Sequence, residues 1–223
     1  MERTKIIDTK AGKIQGIKDE GIEIFKGIPY AERMIGELRF KPTVPAKRFP
    51  GVFLATEFGP ICPQEISPKL LTPPYPQSEP DCLNLNIWTP STDRDKRPVM
   101  VWVHGGGFRS GDGRYYDGTS LVKRGNVVVV TINYRLNSLG FSFIPGITSN
   151  VGLLDQITAL KWVRDNIENF GGDANNVTIF GESAGGMSVS TLSVMSEAKG
   201  LFHRVIAQSG ACHPASYRAS EGK

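Results

Sequence analysis

The sequence predicts an α/β fold: a mostly parallel central sheet with flanking helices, preceded by an N-terminal antiparallel β region. Three observations carry that expectation. Pro98-Val99-Met100-Val101-Trp102-Val103 and the run from Val127 to Ile132 are almost entirely apolar, which suits strands buried on both faces beneath helices. From 127 to 208, strand and helix patterns alternate, the order that builds parallel strands joined by right-handed crossovers. Glycine-rich turns directly follow two of these strands, at His104-Gly105-Gly106-Gly107 and at Gly181-Glu182-Ser183-Ala184-Gly185.

Along the chain, Gly12 to Lys18 and Gly21 to Lys26 alternate polar and apolar residues. Asp19-Glu20-Gly21 between them supplies turn chemistry, so a hairpin is expected. From 41 to 80, prolines recur at 42, 45, 50, 60, 63, 68, 73, 74, 76 and 80. That density excludes regular helix and predicts a long surface excursion. Order resumes with the alternating stretch Leu83-Asn84-Leu85-Asn86-Ile87-Trp88. Leu153, Leu154, Ile157, Leu160, Val163, Ile167 and Phe170 then recur at helical spacing, with Gly171-Gly172 as the stop. Val177-Thr178-Ile179-Phe180 reads as a strand, Ala184 to about Met195 as a second helix, and Arg204 to Gln208 as a last strand.

With 223 residues, 39% hydrophobic and 22% charged, the composition is that of a globular chain. No apolar stretch approaches membrane-spanning length, and no membrane association is expected. The N-terminal residues carry no apolar signal core, so a cytoplasmic location is expected. The net charge is +4, but basic residues fall in pairs such as Lys47-Arg48, Lys96-Arg97 and Lys123-Arg124. They read as solvated surface, and nucleic-acid binding is not expected. Cys62, Cys82 and Cys212 match no zinc spacing, so no metal site is expected. Reduced thiols are the default reading without a visible export signal, with a Cys62–Cys82 loop disulfide as its rival.

Ser183 is the candidate nucleophile. A serine on a sharp strand-to-helix turn has its hydroxyl pushed out into a pocket, and the glycines two residues before and after remove side chains that would collide in the bend. The helix that follows aims free N–H groups where negative charge develops in acyl transfer. The Gly105-Gly106-Gly107 run likewise lets backbone N–H groups approach a ligand, as in an oxyanion hole. A phosphate cradle is the weaker reading, because Gly111-Asp112-Gly113-Arg114 supplies neither a P-loop lysine nor its hydroxyl.

Phe170-Gly171-Gly172-Asp173-Ala174-Asn175-Asn176-Val177-Thr178-Ile179-Phe180-Gly181-Glu182-Ser183-Ala184-Gly185-Gly186 and Asp81-Cys82-Leu83-Asn84-Leu85-Asn86-Ile87 resemble the two signatures of the type-B carboxylesterases, in the cholinesterase-like branch of the α/β-hydrolases. Pro80 and Asn84 depart from the second signature, where an acidic residue and an aromatic are usual. Phe25 to Ala31, Asn133-Tyr134-Arg135, Gly152 to Gln156 and Gln208-Ser209-Gly210 extend the resemblance over residues 10 to 212. It implies that residues 1–223 form the N-terminal part of a single α/β-hydrolase domain, truncated at its C-terminal side. It also implies hydrolysis of small-molecule carboxylic esters through an acyl-serine intermediate, with no cofactor.

By this resemblance, Gly106, Gly107 and Ala184 form the oxyanion hole. Glu182 lines the pocket wall, His104 supports the glycine loop, and Ser209 is a serine that helps hold the acid–histidine pair. The acid and the histidine themselves would follow the last residue of this sequence. His203, His213 and Glu221 are the titratable groups after Ser183 that come into question, and none sits in the family context for those roles. An impaired chain is therefore expected, open to self-association or to complementation by a C-terminal half. The alternatives are a non-catalytic cholinesterase-like binding protein or a truncated gene product.

Overall fold

A computed structural model describes residues 2–65 and 76–210. The chain opens with β1 (Glu2–Arg3), β2 (Ile7–Thr9), β3 (Gly12–Gln15), β4 (Ile17–Asp19) and β5 (Ile22–Pro29). The expected hairpin is β4–β5. Glu20 and Gly21 close it with φ of 49° and 80°, and Asp19 pairs with Ile22. Two left-handed residues give the turn that matches the twist of the flanking strands. The alternating stretch before it divides at Gly16, where β3 and β4 leave for different sheets. Thr4 marks the division, donating its N–H to the Gly16 carbonyl (3.1 Å) and accepting the Gly16 N–H on its hydroxyl (3.0 Å).

The described part of the proline-rich stretch is not simply a surface excursion. It contains β6 (Val52–Leu54), which completes a small sheet in the order β2-β3-β6. Ala55, Ile61 and Cys62 are buried. Ala55 is drawn in because its N–H bonds the Gln15 carbonyl (2.8 Å) while its carbonyl accepts the Lys26 N–H (2.9 Å). Cys62 and Cys82 are joined as a disulfide, their Cα atoms 4.8 Å apart. This overturns the reduced-thiol default for the pair: the fold brings together two thiols that lie 20 residues apart in sequence. Cys212 lies outside the described residues.

The main sheet is built from β1, β4, β5 and five further strands, which are interleaved with helices along the rest of the chain. In chain order these later elements are β7 (Asn84–Thr89), β8 (Arg97–Val103), α1 (Thr119–Gly125), β9 (Val128–Ile132), α2 (Asn137–Phe141), α3 (Val151–Asn166), β10 (Gly172–Glu182), α4 (Ala184–Leu192) and β11 (Arg204–Gln208). The strand order is β1-β4-β5-β7-β9-β8-β10-β11. Pairing is antiparallel from β1 to β9 and parallel across β9-β8-β10-β11. The antiparallel region expected at the N-terminus is thus continuous with the parallel sheet.

β7 alternates in sequence yet is buried along its whole length. Its asparagines tolerate this because their carboxamides are satisfied. Asn86 accepts the Gly27 N–H (2.9 Å) and donates to Thr131 Oγ1 (3.0 Å). Asn84 donates to the carbonyls of Pro60 (2.9 Å), Asp81 and Cys82 (3.1 Å each). Burial without those partners would cost about 1–3 kcal/mol per group.

α3 presents Ile157, Leu160 and Val163, all buried, to the core beneath Val101, Val130 and Ile179 of the sheet. Each such side chain contributes roughly 1.5–3 kcal/mol by leaving water. A 3-10 turn at Ile167–Phe170 extends the helix, and Gly171, at φ 77°, reverses the chain into β10. The predicted stop therefore acts where the sequence placed it.

Register decides where the site forms. Ile132 of β9 pairs with Val103 of β8, Val103 with Gly181 of β10, and Gly181 with Ala207 of β11. The carboxyl ends of four parallel strands are level, so the residues that follow them emerge together. In open α/β sheets this is where ligands bind. β11 ends the sheet, and every residue in it is exposed. Among the described residues, no helix is long and apolar enough to cross a membrane.

Candidate active site

Ser183 stands between β10 and α4 with φ 54° and ψ −120°. A β-carbon makes that conformation costly, by about 1–3 kcal/mol, so the surroundings must impose it. They do so through hydrogen bonds and close approach. The Ser183 N–H bonds the Gln208 carbonyl (2.9 Å), and the Ser183 carbonyl accepts the Met187 N–H (2.9 Å). A methyl at Gly185 would overlap the Val103 carbonyl oxygen, and one at Gly181 would lie 2.6 Å from the Gly185 carbonyl carbon. Both flanking glycines thus let α4 start hard against β8, as the motif predicts. Among the described residues, no hydrogen bond reaches the Ser183 hydroxyl.

The glycine loop after β8 meets this turn directly. A methyl at Gly105 would lie 2.7 Å from the Glu182 carbonyl oxygen and 3.3 Å from Ser183 Cβ. The loop then closes on itself, the N–H groups of Arg109 and Ser110 both bonding the Gly106 carbonyl (3.0 Å). Gly106 and Gly107 are exposed, and among the described residues no hydrogen bond uses their N–H groups. Ala184, as the first residue of α4, has no acceptor one turn back within its helix. Gly106, Gly107 and Ala184 therefore offer amide hydrogens beside the serine turn.

His104 lies beneath the loop, 1% exposed. Its Nδ1 is 2.8 Å from the Gly105 carbonyl, an oxygen that can only accept, so Nδ1 carries the proton. Its ring stacks on Tyr134 (centroids 4.3 Å apart), and the Tyr134 hydroxyl donates to the His104 carbonyl (2.7 Å). Burial pushes the imidazole pKa down to about 4, against a partial upward pull from the Gly105 carbonyl. His104 is thus buried and neutral at pH 7. The sign of its pH effect follows. An unfolded imidazole titrates at 6.5 and the folded one at about 4, so the unfolded chain binds more protons between those values. Stability is full above 6.5 and falls as pH drops toward 4, by about 3 kcal/mol at the lower end. Urea midpoints taken from pH 7 down to 5, where most carboxylates stay ionised, are expected to fall more steeply for the natural chain than for His104→Gln. Parallel curves would remove the assignment.

Glu182 is exposed beside Ser183. Its charge, after burial, is the next cause raising the Tyr116 phenol above its ordinary value. The Trp102 ring lies with its centroid 4.6 Å from that of Tyr116 and 4.8 Å from that of Phe180. Ser209 follows β11, exposed and at φ 51°, and among the described residues no hydrogen bond uses its hydroxyl. His203 directly precedes β11, at the end of that strand away from Ser183. Its Nδ1 accepts the Val177 N–H (3.1 Å), roughly 20 Å from Ser183 at strand rise. His213 and Glu221 lie outside the described residues. Among the described residues, no cluster of His, Cys, Asp and Glu is placed to hold a metal ion.

Sequence reading missed two supports of this site. Arg135 and Asp155 form a buried ion pair at the foot of the loops, and Gln64 reaches across to Gly111. Arg135 and Asp155 were visible only as parts of matching segments. No local signal marked Gln64.

The model of the carboxylesterase family matches residues 3–221. The para-nitrobenzyl esterase of Bacillus subtilis is 48% identical over 216 residues, which cover 93% of this chain and 44% of that protein. Liver carboxylesterase 1 of Oryctolagus cuniculus is 46% identical, covering 92% of this chain and 40% of that protein. The solved juvenile hormone esterase of Manduca sexta superposes with a TM-score of 0.88 at 38% identity, covering 95% of this chain and 42% of that one. The chain thus spans under half the length of the relatives it matches. Its sheet and helices are those of the α/β-hydrolase fold, and the chain belongs to the carboxylesterase family.

Proposed function

We propose that the protein hydrolyses carboxylic esters by acyl transfer to Ser183. The observation that carries this reading is the contact of the Gly105–Gly107 loop with a serine held at positive φ, which sets a hydroxyl beside exposed amide hydrogens. Ser183 Oγ attacks the ester carbonyl, and the N–H groups of Gly106, Gly107 and Ala184 receive the oxyanion. Collapse expels the alcohol, and water then releases the acid from the acyl-serine. Glu182 biases the charge of the pocket wall, His104 holds the loop, and Ser209 steadies the acid–histidine pair. The group that takes the Ser183 proton comes from polypeptide outside the described residues, so the described part alone turns over weakly or not at all. Among the described residues β11 is the outermost strand of its sheet, and an edge of that kind favours self-association or pairing with a complementary C-terminal half. The Cys62–Cys82 bond favours an oxidising compartment over the cytoplasm.

The test joins this chain to the C-terminal remainder of the Bacillus subtilis para-nitrobenzyl esterase. The fusion is expected to hydrolyse p-nitrophenyl acetate and to take one fluorophosphonate on Ser183, located by mass spectrometry. Ser183→Ala is expected to lose the adduct and at least about 10⁴-fold in rate. A folded fusion that takes no adduct, or takes it on another residue, would leave the non-catalytic binding role as the better reading.

A further inference from the structure

We propose that Gln64 is a positioning residue for the glycine loop; only the catalytic consequence of this role rests on the ester-hydrolysis reading. Gln64 stands two places after the disulfide-bonded Cys62. Its carboxamide grips Gly111 on both sides. Oε1 accepts the Gly111 N–H (2.7 Å) and Nε2 donates to the Gly111 carbonyl (3.0 Å) and to the Cys62 carbonyl (3.1 Å). A side chain here makes the two-point pairing that one strand residue makes with another.

Gln64 is itself held. Its N–H bonds Gln77 Oε1 (2.8 Å), and its carbonyl accepts Gln77 Nε2 (3.0 Å). On the far side of Gly111 lies the start of the glycine loop. A methyl at Gly111 would stand 2.6 Å from both the Gly105 carbonyl oxygen and His104 Nδ1. Gly111 is therefore wedged between the Gln64 carboxamide and His104. The turn that presents the Gly106 and Gly107 N–H groups runs from Gly105 to Gly111, so fixing Gly111 fixes its second end. Asn137 ties the same two segments, donating to the Arg109 carbonyl (2.9 Å) and the Pro63 carbonyl (3.4 Å). The Cys62–Cys82 bond shortens the tether, because Cys82 abuts β7 in the middle of the sheet.

The decisive experiment is amide hydrogen exchange on the full 223-residue chain. Gln64→Ala is expected to exchange at least about tenfold faster across 104–111 and unchanged across β9. Gln64→Glu keeps the acceptor but, when ionised, turns a charged oxygen on two carbonyls. Its loop protection is expected to recover toward about pH 5, where the carboxylic acid regains a donor. In the fusion, the maximal rate of fluorophosphonate inactivation is expected to fall about tenfold to a hundredfold for Gln64→Ala, with the half-saturating probe concentration unchanged. Unchanged exchange across 104–111, or faster exchange spread over the whole sheet, would overturn the role. If the unsubstituted fusion takes no adduct, the ester reading fails, and the exchange pattern still decides whether Gln64 holds the loop.

Discussion

Asp155→Ala is expected to cost about 3–5 kcal/mol of folding stability, a large part of the 5–15 kcal/mol that a domain commonly has. Asp155 is fully buried and Arg135 is 2% exposed. Arg135 binds the carboxylate through its backbone N–H (2.9 Å), Nε (2.9 Å) and Nη2 (2.8 Å). Its Nη1 and Nη2 also hold the carbonyls of Arg39 (2.7 Å) and Lys41 (3.2 Å), and Thr43 adds a hydroxyl to Asp155. One pair therefore joins the end of β9, the face of α3 and the 39–43 segment. Removing the carboxylate leaves a guanidinium desolvated and uncompensated, which is why the penalty exceeds the net worth of the intact pair. Asp165→Ala serves as the control. Asp165 meets Lys10 and Arg164 at the surface, where an ion pair is worth about 0–1 kcal/mol. Urea unfolding at neutral pH separates the two. Similar midpoints for both variants would mean that water reaches Arg135.

The contrast between these aspartates explains what the sequence could and could not disclose. Periodicity is local, so α3, the β4–β5 hairpin and the parallel strands were readable from single windows. The Ser183 turn and the glycine loop were readable because only glycine permits the close approaches at Gly105 and Gly185. Arg135 and Asp155 lie 20 residues apart, and nothing local distinguishes a buried aspartate from a solvated one. The same limit applies to β7. Alternation suggests one wet face, but Asn84 and Asn86 find partners in neighbouring loops and the strand is wholly buried. It applies again to Cys62 and Cys82, where spacing left two readings and only the backbone path joined the thiols. Gln64 was the least legible residue, since a glutamine in a proline-rich stretch reads as surface until the fold sets Gly111 against it.

Gly105→Ala is expected to slow fluorophosphonate labelling of Ser183 about 10²–10³-fold in the fusion, the loss that follows removal of one oxyanion donor. The reason is steric. The added methyl would stand 2.7 Å from the Glu182 carbonyl oxygen, a backbone atom pinned in β10, and 3.3 Å from Ser183 Cβ. β10 is gripped between β8 and β11, so the loop is the part that moves. A shift of several tenths of an ångström carries the Gly106 and Gly107 N–H groups off the oxyanion position proposed for them, where geometry sets the strength of the bond. The stability cost is smaller, about 1–3 kcal/mol, as for other overpacked sites, because the turn from Gly106 to Ser110 is exposed enough to adjust. Activity should therefore fall far more than stability. A Gly105→Ala fusion that labels at the unsubstituted rate would show that the loop does not hold the oxyanion. A variant that fails to fold would show instead that Gly105 is needed for packing, and Gln64→Ala would then carry the test of the loop's part in the chemistry.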